Sequence, residues 1–170
     1  GRTGCQIIDL TFDANKAGRT SGQSVRFMGA GFLSSTDCDL IRVTAKNCRG
    51  YSSVSAVGLF AAGGSTRCRI LFPKLFNCGD AGFDADGVFT SGDRNLIFGG
   101  VAEDCTDTGF VIESSNGSGI VGCSTNNCAA VAAITSANAS DKRGNFISGV
   151  TGVNWSGVTG GIQIGVPGAY

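Results

Sequence analysis

Apolar positions in this chain recur in short alternating runs of three to six residues, each ended by a turn rich in Gly, Asn and Asp. One such stretch lies between Leu75 and Asp86. An apolar run reaches Asn77-Cys78, the chain turns through Gly79-Asp80-Ala81-Gly82, and alternation resumes at Phe83. The same order returns where Asn47-Cys48 leads to Gly58-Leu59-Phe60-Ala61, Glu103-Asp104-Cys105 to Gly109-Phe110-Val111-Ile112-Glu113, and Asn127-Cys128 to Ala132-Ala133-Ile134-Thr135. It recurs once more where Asn154-Trp155 leads to Gly161-Ile162-Gln163-Ile164. Val, Ile, Thr and Phe at a period of two predict strands, and no segment shows the 3.6-residue period with capping residues that a helix requires.

Aligning the segments before each turn gives an eleven-residue unit: Cys5 to Asn15, Cys38 to Cys48, Cys68 to Cys78, Asn95 to Cys105, Ser118 to Cys128 and Asn145 to Trp155. Its third position is always a branched aliphatic: Ile7, Leu40, Ile70, Ile97, Ile120 and Ile147. The eighth reads Phe12, Ala45, Leu75, Ala102, Thr125 and Gly152. The tenth carries Asn47, Asn77, Asp104, Asn127 and Asn154, and the eleventh Cys48, Cys78, Cys105 and Cys128. Like residues therefore stack on like, at a period of 23 to 33 residues set by connections of unequal length.

Repeats of two or three short strands that stack on one another predict an all-β fold, a parallel β-helix or single-stranded solenoid of about six coils spaced about 4.8 Å apart, forming one domain over residues 1–170. A third short strand is expected in the variable connection, as at Ser24–Phe27 or Val88-Phe89. In the strand after the Gly turn, alternation places Phe83, Ala85, Phe110, Ile112, Ala133, Ile162 and Ile164 inward. It places Phe60, Asp84, Asp86, Val111, Glu113, Ile134 and Gln163 outward. A stacked Asn at a turn can bond its own backbone and the amide one coil away. The Cys column reads as a packing ladder of buried thiols, since free Cys behaves as a small hydrophobe.

Composition narrows the function classes. Thirteen basic and thirteen acidic residues give a formal net charge of zero, which argues against nucleic acid or an anionic membrane as the main partner. No run approaches 18 consecutive apolar residues, so no membrane insertion is expected. Gly is abundant at 28 residues while hydrophobic content stays ordinary, which fits many tight turns better than disorder. The chain has eight Cys, no His and no Cys-x-x-Cys pair, so no metal site is expected from them.

The opening Cys5-Gln-Ile-Ile-Asp-Leu-Thr-Phe-Asp-Ala-Asn-Lys16 resembles the coil that begins the central helix of pectate-lyase-like right-handed β-helix proteins, and the Asn-Cys…Gly-Phe units resemble their following coils. This superfamily includes pectate lyases, polygalacturonases, alginate epimerases and bacteriophage tailspikes. The resemblance implies a right-handed β-helix, a polysaccharide partner, a homotrimer and a place in a virion tail or the extracellular space. The usual Gly-Ala-x-Gly-Asp-Gly segment of such proteins is not seen, so the chain is expected to be a piece of a longer protein. Gly82-Phe83-Asp84 resembles the epimerase motif, but Asp86 stands where that motif has His. The paired-Asp and Gly-His elements of polygalacturonases are also missing, which leaves the tailspike resemblance as the best match.

Asp84, Asp86 and Glu113 form the most distinctive outward set. Alignment places Asp86 and Glu113 in one column of neighbouring coils, about 5 Å apart, with Asp84 roughly 7 Å along the strand. Glycoside hydrolysis needs one protonated and one ionised carboxyl, and crowding separates their pKa values. These three are the expected catalytic residues, with Arg94 and Phe98 as substrate-binding residues and no cofactor. The same acids also suit Ca²⁺, in which case a polysaccharide lyase with Arg94 as base is the alternative. Equally, outward acids on a solenoid are polar by default, which fits a non-enzymatic structural or adhesive β-helix. Phe72 and Phe98 are expected on the outside, where they could stack on sugar rings or pack against another subunit.

Overall fold

The computed structural model describes residues 1–15, 27–48, 56–78, 88–106, 108–128, 130–135, 144–152 and 162–163. Every regular element among them is a strand, and the strands build three stacked parallel sheets. The first sheet has seven strands: β1 (Gln6–Ile8), β4 (Asp39–Ile41), β7 (Arg69–Leu71), β10 (Leu96–Phe98), β13 (Gly119–Val121), β16 (Phe146–Ser148) and β17 (Ile162–Gln163). The second holds β2 (Thr11–Asp13), β5 (Thr44–Lys46), β8 (Lys74–Phe76), β11 (Val101–Glu103) and β14 (Ser124–Asn126). The third holds β3 (Phe27–Leu33), β6 (Ala56–Ala62), β9 (Val88–Ser91), β12 (Thr108–Glu113) and β15 (Ala130–Thr135). The chain visits the first, second and third sheets in turn and then starts again, an order consistent with a parallel β-helix or solenoid.

The columns read from the eleven-residue unit are the register of the first two sheets. Ile7 pairs with Leu40, Leu40 with Ile70, Ile70 with Ile97, Ile97 with Ile120 and Ile120 with Ile147. Phe12, Ala45, Leu75, Ala102 and Thr125 pair likewise in the second sheet. With one inward residue per three-residue strand, the branched side chains meet at the centre. Leu40, Ile70, Ile97, Ile120 and Ile147 join Leu75, Leu59, Phe110 and Ile112 in one buried cluster. A single left-handed residue turns the chain from the first sheet into the second: Asp9, Arg42, Phe72, Gly99, Gly122 and Gly149, all with φ between 51° and 65°. A second corner of the same kind follows the second sheet at Asn15, Asn47, Asn77, Asp104 and Asn127. Asn and Asp tolerate that conformation best among side-chain-bearing residues. The stacked Asn residues also bond as expected: Asn77 Nδ2 donates to Asn47 Oδ1 at 2.9 Å, and Asn47 Nδ2 to Asp13 Oδ1 at 2.9 Å.

The third sheet differs from the sequence reading in register. Val88, not Phe83, pairs with Phe110, so Val88–Ser91 is itself the third-sheet strand of its coil. Glu113 therefore pairs with Ser91 below and Thr135 above, not with Asp86. The physical reason is the fully buried column made by Leu59, Val88 and Phe110, which selects the register. By the same register Ile134 aligns with the inward Ile112, where the sequence placed it outward. Ile162 and Gln163 align with Phe146 and Ile147 in the first sheet rather than continuing the third. Phe60 and Val111 are in outward register as expected but only 7% and 5% exposed, and Phe60 forms a second buried cluster with Val57 and Ala62. Ser24–Arg26, Phe83, Ala85 and Ile164 lie outside the described residues.

Candidate functional site

Two features stand on the outer surface of the first two sheets and their corners. One is a set of acid–base pairs that joins successive coils. Arg42 donates through Nε and Nη2 to both carboxylate oxygens of Asp9, at 2.6 and 2.8 Å. Arg67 grips Asp37 in the same two-point manner at 2.6 and 2.8 Å, and Arg69 grips Asp39 at 2.7 and 2.6 Å. Lys46 lies 3.3 Å from Asp13. Each base stands one coil above its acid at the equivalent position, Arg67 and Asp37 just before the eleven-residue unit and the other pairs within it. That is the signal sequence reasoning missed: opposite charges at equivalent positions of adjacent repeats.

These contacts fix protonation. The Arg42, Arg67 and Arg69 guanidinium groups hold the Asp9, Asp37 and Asp39 carboxyls below the ordinary value. For Asp13 the Asn47 amide does most, ahead of the Asn15 backbone N–H and Lys46. The pairs at Asp9, Asp13 and Asp37 are open to water, which limits what each contributes. Asp39 differs: its side chain is only 4% exposed, and it also accepts a hydrogen bond from Gln6 Nε2 at 3.0 Å.

The other feature is aromatic. Phe72 and Phe98 are 47% and 38% exposed, as expected from the sequence. Their rings meet edge to face, with centroids 5.5 Å apart and planes at 84°. Phe72 occupies the left-handed corner (φ 52°), a position that costs a bulky side chain about 1 kcal/mol or more. The coils above use Gly99, Gly122 and Gly149 for the same turn and the coils below Arg42 and Asp9, so the scaffold does not require a Phe there. A Cβ on Gly99 would fall 2.7 Å from the Phe72 ring, so that Gly gives the ring its resting place. Ile8 and Leu10, 47% and 42% exposed, extend the apolar surface toward the first coil.

The predicted site residues are spread over this framework. Phe98 is on the outer face of the first sheet, and Arg94 is exposed at the left-handed corner before β10 (φ 60°). Glu113 is half-buried at the end of β12 in the third sheet. Asp84 and Asp86 lie outside the described residues. Every described aspartate is engaged, Asp93 by Asn116 and Asp104 by Asn127 in addition to the four above. The side chain of Glu113 has no hydrogen bond or ion pair among the described residues, which separates it from the acids that join coils. Among those residues no group of three or more acids and thiols is placed to hold a metal ion, and no helix is long and apolar enough to cross a membrane.

All eight cysteines are free, and seven are buried. Cys78 Sγ lies 3.7 Å from the Ala45 carbonyl and Cys128 Sγ 3.5 Å from that of Ala102, each in the coil below. Burial pushes the Cys123 thiol up to about 11. Hydrogen bonds with Cys128 and Cys78, together with burial, push Cys105 upward as well. The thiols pack the interior, and the raised Cys105 and Cys123 are poor nucleophiles in the folded protein, whereas hydrogen bonds from Cys105 lower Cys78 and Cys128.

Set against known proteins, the chain matches no family model and no curated protein.

Proposed function

We propose that the chain is the right-handed parallel β-helix portion of a phage tailspike or similar extracellular receptor-binding protein, a homotrimer that binds and hydrolyses a surface polysaccharide. The observation that carries this reading is Phe72: an exposed aromatic held in a left-handed corner, edge to face with a second exposed aromatic, where the coils above turn with glycine and the coils below with the polar Arg42 and Asp9. Strain kept without a structural need points to a surface in use. Two exposed rings beside a row of guanidinium groups offer a sugar both an apolar platform for its C–H face and donors for its hydroxyls. Hydrolysis is assigned to Asp84, Asp86 and Glu113; the uncommitted carboxylate of Glu113 supports its own part, while its pairing with Ser91 removes the shared column with Asp86 that the sequence suggests. Arg94 and Phe98 act as substrate-binding residues.

A structural or adhesive β-helix is the second reading, favoured by the tying of every described aspartate into scaffold contacts. Incubating the protein with bacterial surface polysaccharides and measuring both retention and new reducing ends separates the two. Retention that falls about tenfold or more in Phe72→Ala, with cleavage lost in Glu113→Gln, supports the enzyme. Retention without any cleavage by the wild type leaves the adhesive reading. Retention unchanged in Phe72→Ala removes the aromatic platform from the account.

A further inference from the structure

Asn116 and Gly117 lie on the corner that leads from β12 into β13, outside any strand, with Asn116 half-buried and Gly117 exposed. Asn116 is the one asparagine in the sequence that is followed by glycine. We propose that Asn116 is a modification site: it loses its side-chain amide to water through a succinimide formed with Gly117, and the product loosens the joint between the fourth and fifth coils. The reaction needs only water and is independent of the polysaccharide reading.

The backbone nitrogen of Gly117 gives up its proton to solvent base and bonds to the Asn116 side-chain carbon Cγ, the Cγ–Nδ2 bond breaks, and ammonia leaves. Water then opens the five-membered ring at either carbonyl, giving aspartate or isoaspartate, with nothing oxidised or reduced. A side chain on the following residue hinders this ring closure, and Gly117 has none. No other asparagine offers that access. Asn47, Asn77 and Asn127 precede buried cysteines and donate through Nδ2 to the coil below. Asn95 and Asn145 are buried and bonded through both Oδ1 and Nδ2.

The place of Asn116 gives the reaction a consequence. Its backbone N–H and its Nδ2 both donate to Asp93 Oδ1, at 3.0 and 3.2 Å, and its carbonyl receives the Arg94 N–H at 2.8 Å. All three contacts tie the fourth coil to the fifth. Aspartate at 116 replaces the Nδ2 donor with a carboxylate facing that of Asp93, and like charges so close repel. Isoaspartate does more. The main chain then runs through the former side chain and is one atom longer, and the carbonyl that received the Arg94 N–H becomes a free carboxylate.

The turn itself does not demand glycine. The same corner in the three coils below is made by Arg94, Arg67 and Asp37, with φ of 60°, 54° and 54° against 64° at Gly117. A Cβ on Gly117 would have the Arg94 Cγ as its nearest neighbour, at an ordinary 3.6 Å. The scaffold therefore accepts a side chain at 117, and Gly117→Ala isolates the chemistry from the fold.

The test ages the full chain in mildly alkaline buffer and follows every asparagine by peptide mass mapping, with methyl transfer by an isoaspartyl methyltransferase as the readout of isoaspartate. Asn116 should convert to aspartate and isoaspartate about tenfold or more faster than Asn47, Asn77 or Asn127, and Gly117→Ala should slow it by a similar factor. The aged wild type should melt a few degrees below fresh protein, a measurement that depends on no variant. Asn116→Asp should lower the melting temperature likewise, and Asp93→Asn in that background should restore part of the loss. Conversion in the unfolded chain but not in the native protein would show that the Asp93 contact protects Asn116, and overturns the site. Conversion at an unchanged rate in folded Gly117→Ala overturns the succinimide with Gly117. Complete conversion with an unchanged melting curve overturns the loosening of the coil joint.

Discussion

Asn95 Oδ1 accepts the backbone N–H of Cys68 at 2.9 Å, in the place where Cys38 Sγ takes the N–H of Cys5 at 3.3 Å two coils earlier. The same column continues upward: Ser118 Oγ accepts from the Asn95 N–H and Asn145 Oδ1 from the Ser118 N–H, each at 2.9 Å. A thiol thus serves the first coil and stronger acceptors the upper ones. Asn95 carries more than one bond, because its Nδ2 also donates to the Ser65 and Gly92 carbonyls at 2.9 and 3.1 Å. Asn95→Ala should leave a buried N–H and two carbonyls with fewer partners, at a cost of about 2–4 kcal/mol. Urea unfolding monitored by far-ultraviolet circular dichroism measures it. A loss below about 0.5 kcal/mol would show that water or relaxation replaces the amide.

Gly119 and Phe146 form a complementary pair on the outer face of the first sheet. They are register partners, and a Cβ built on Gly119 would fall 2.3 Å from the Phe146 ring. Gly119 has ordinary strand backbone, so the ring alone makes the position small. Gly119→Ala should destabilise by about 1–3 kcal/mol through overpacking. Removing the ring as well, in Gly119→Ala/Phe146→Ala, should recover part of that loss. A double-mutant cycle with coupling near zero would contradict the pairing.

The thiols give a prediction about access. Cys5 is the one cysteine that is not buried. Native protein treated with iodoacetamide at pH 8 should gain one label per chain within the time a small thiol reacts, and eight labels in guanidinium chloride. Intact mass spectrometry reads both numbers. Rapid labelling of Cys48, Cys78, Cys105 or Cys128 in the native state would mean that the ladder opens locally.

The parts of the fold legible from sequence are those where one constraint acts in every coil. Ile7, Leu40, Ile70, Ile97, Ile120 and Ile147 all face the same interior, so selection for a branched aliphatic leaves a readable column. Asn47, Asn77 and Asn127 all turn the same left-handed corner. The third sheet was less legible because its strands follow connections of unequal length. Phe83–Asp86 and Val88–Ser91 both alternate, and only pairing with Leu59 and Phe110 distinguishes them. That one ambiguity displaced Glu113 from Asp86 and onto Ser91. Phe72 and Phe98 could be placed outside from sequence, but their contact depends on the ring lying over Gly99. The Asp–Arg pairs were present in the columns as opposite charges at equal positions, as with Asp39 and Arg69.

Those pairs set the acid response of the protein. Asp9, Asp13, Asp37 and Asp39 all have folded-state values lowered from 3.8. A carboxyl of that kind contributes fully above its unfolded value, and the contribution disappears as pH falls through the lowered folded value. Stability should therefore be level from about pH 7 to pH 5 as far as these groups are concerned, and should fall steeply below about pH 4. The pairs are not equal. Asp9, Asp13 and Asp37 are close to half exposed or more, so water and salt screen them, and Asp9→Asn should change the melting temperature little. Asp39 is shielded and anchors both Arg69 and Gln6, so Asp39→Asn should cost about 1–3 kcal/mol at pH 6. As pH falls through the lowered folded value the wild-type carboxyl is protonated too, and the gap between wild type and Asp39→Asn should narrow. Melting curves of the three proteins at pH 6 and pH 2, in low and high salt, decide it. An Asp39→Asn gap that does not narrow at all on acidification would trace the loss to packing instead of charge, and a gap abolished by salt at pH 6 would place Asp39 with the exposed pairs.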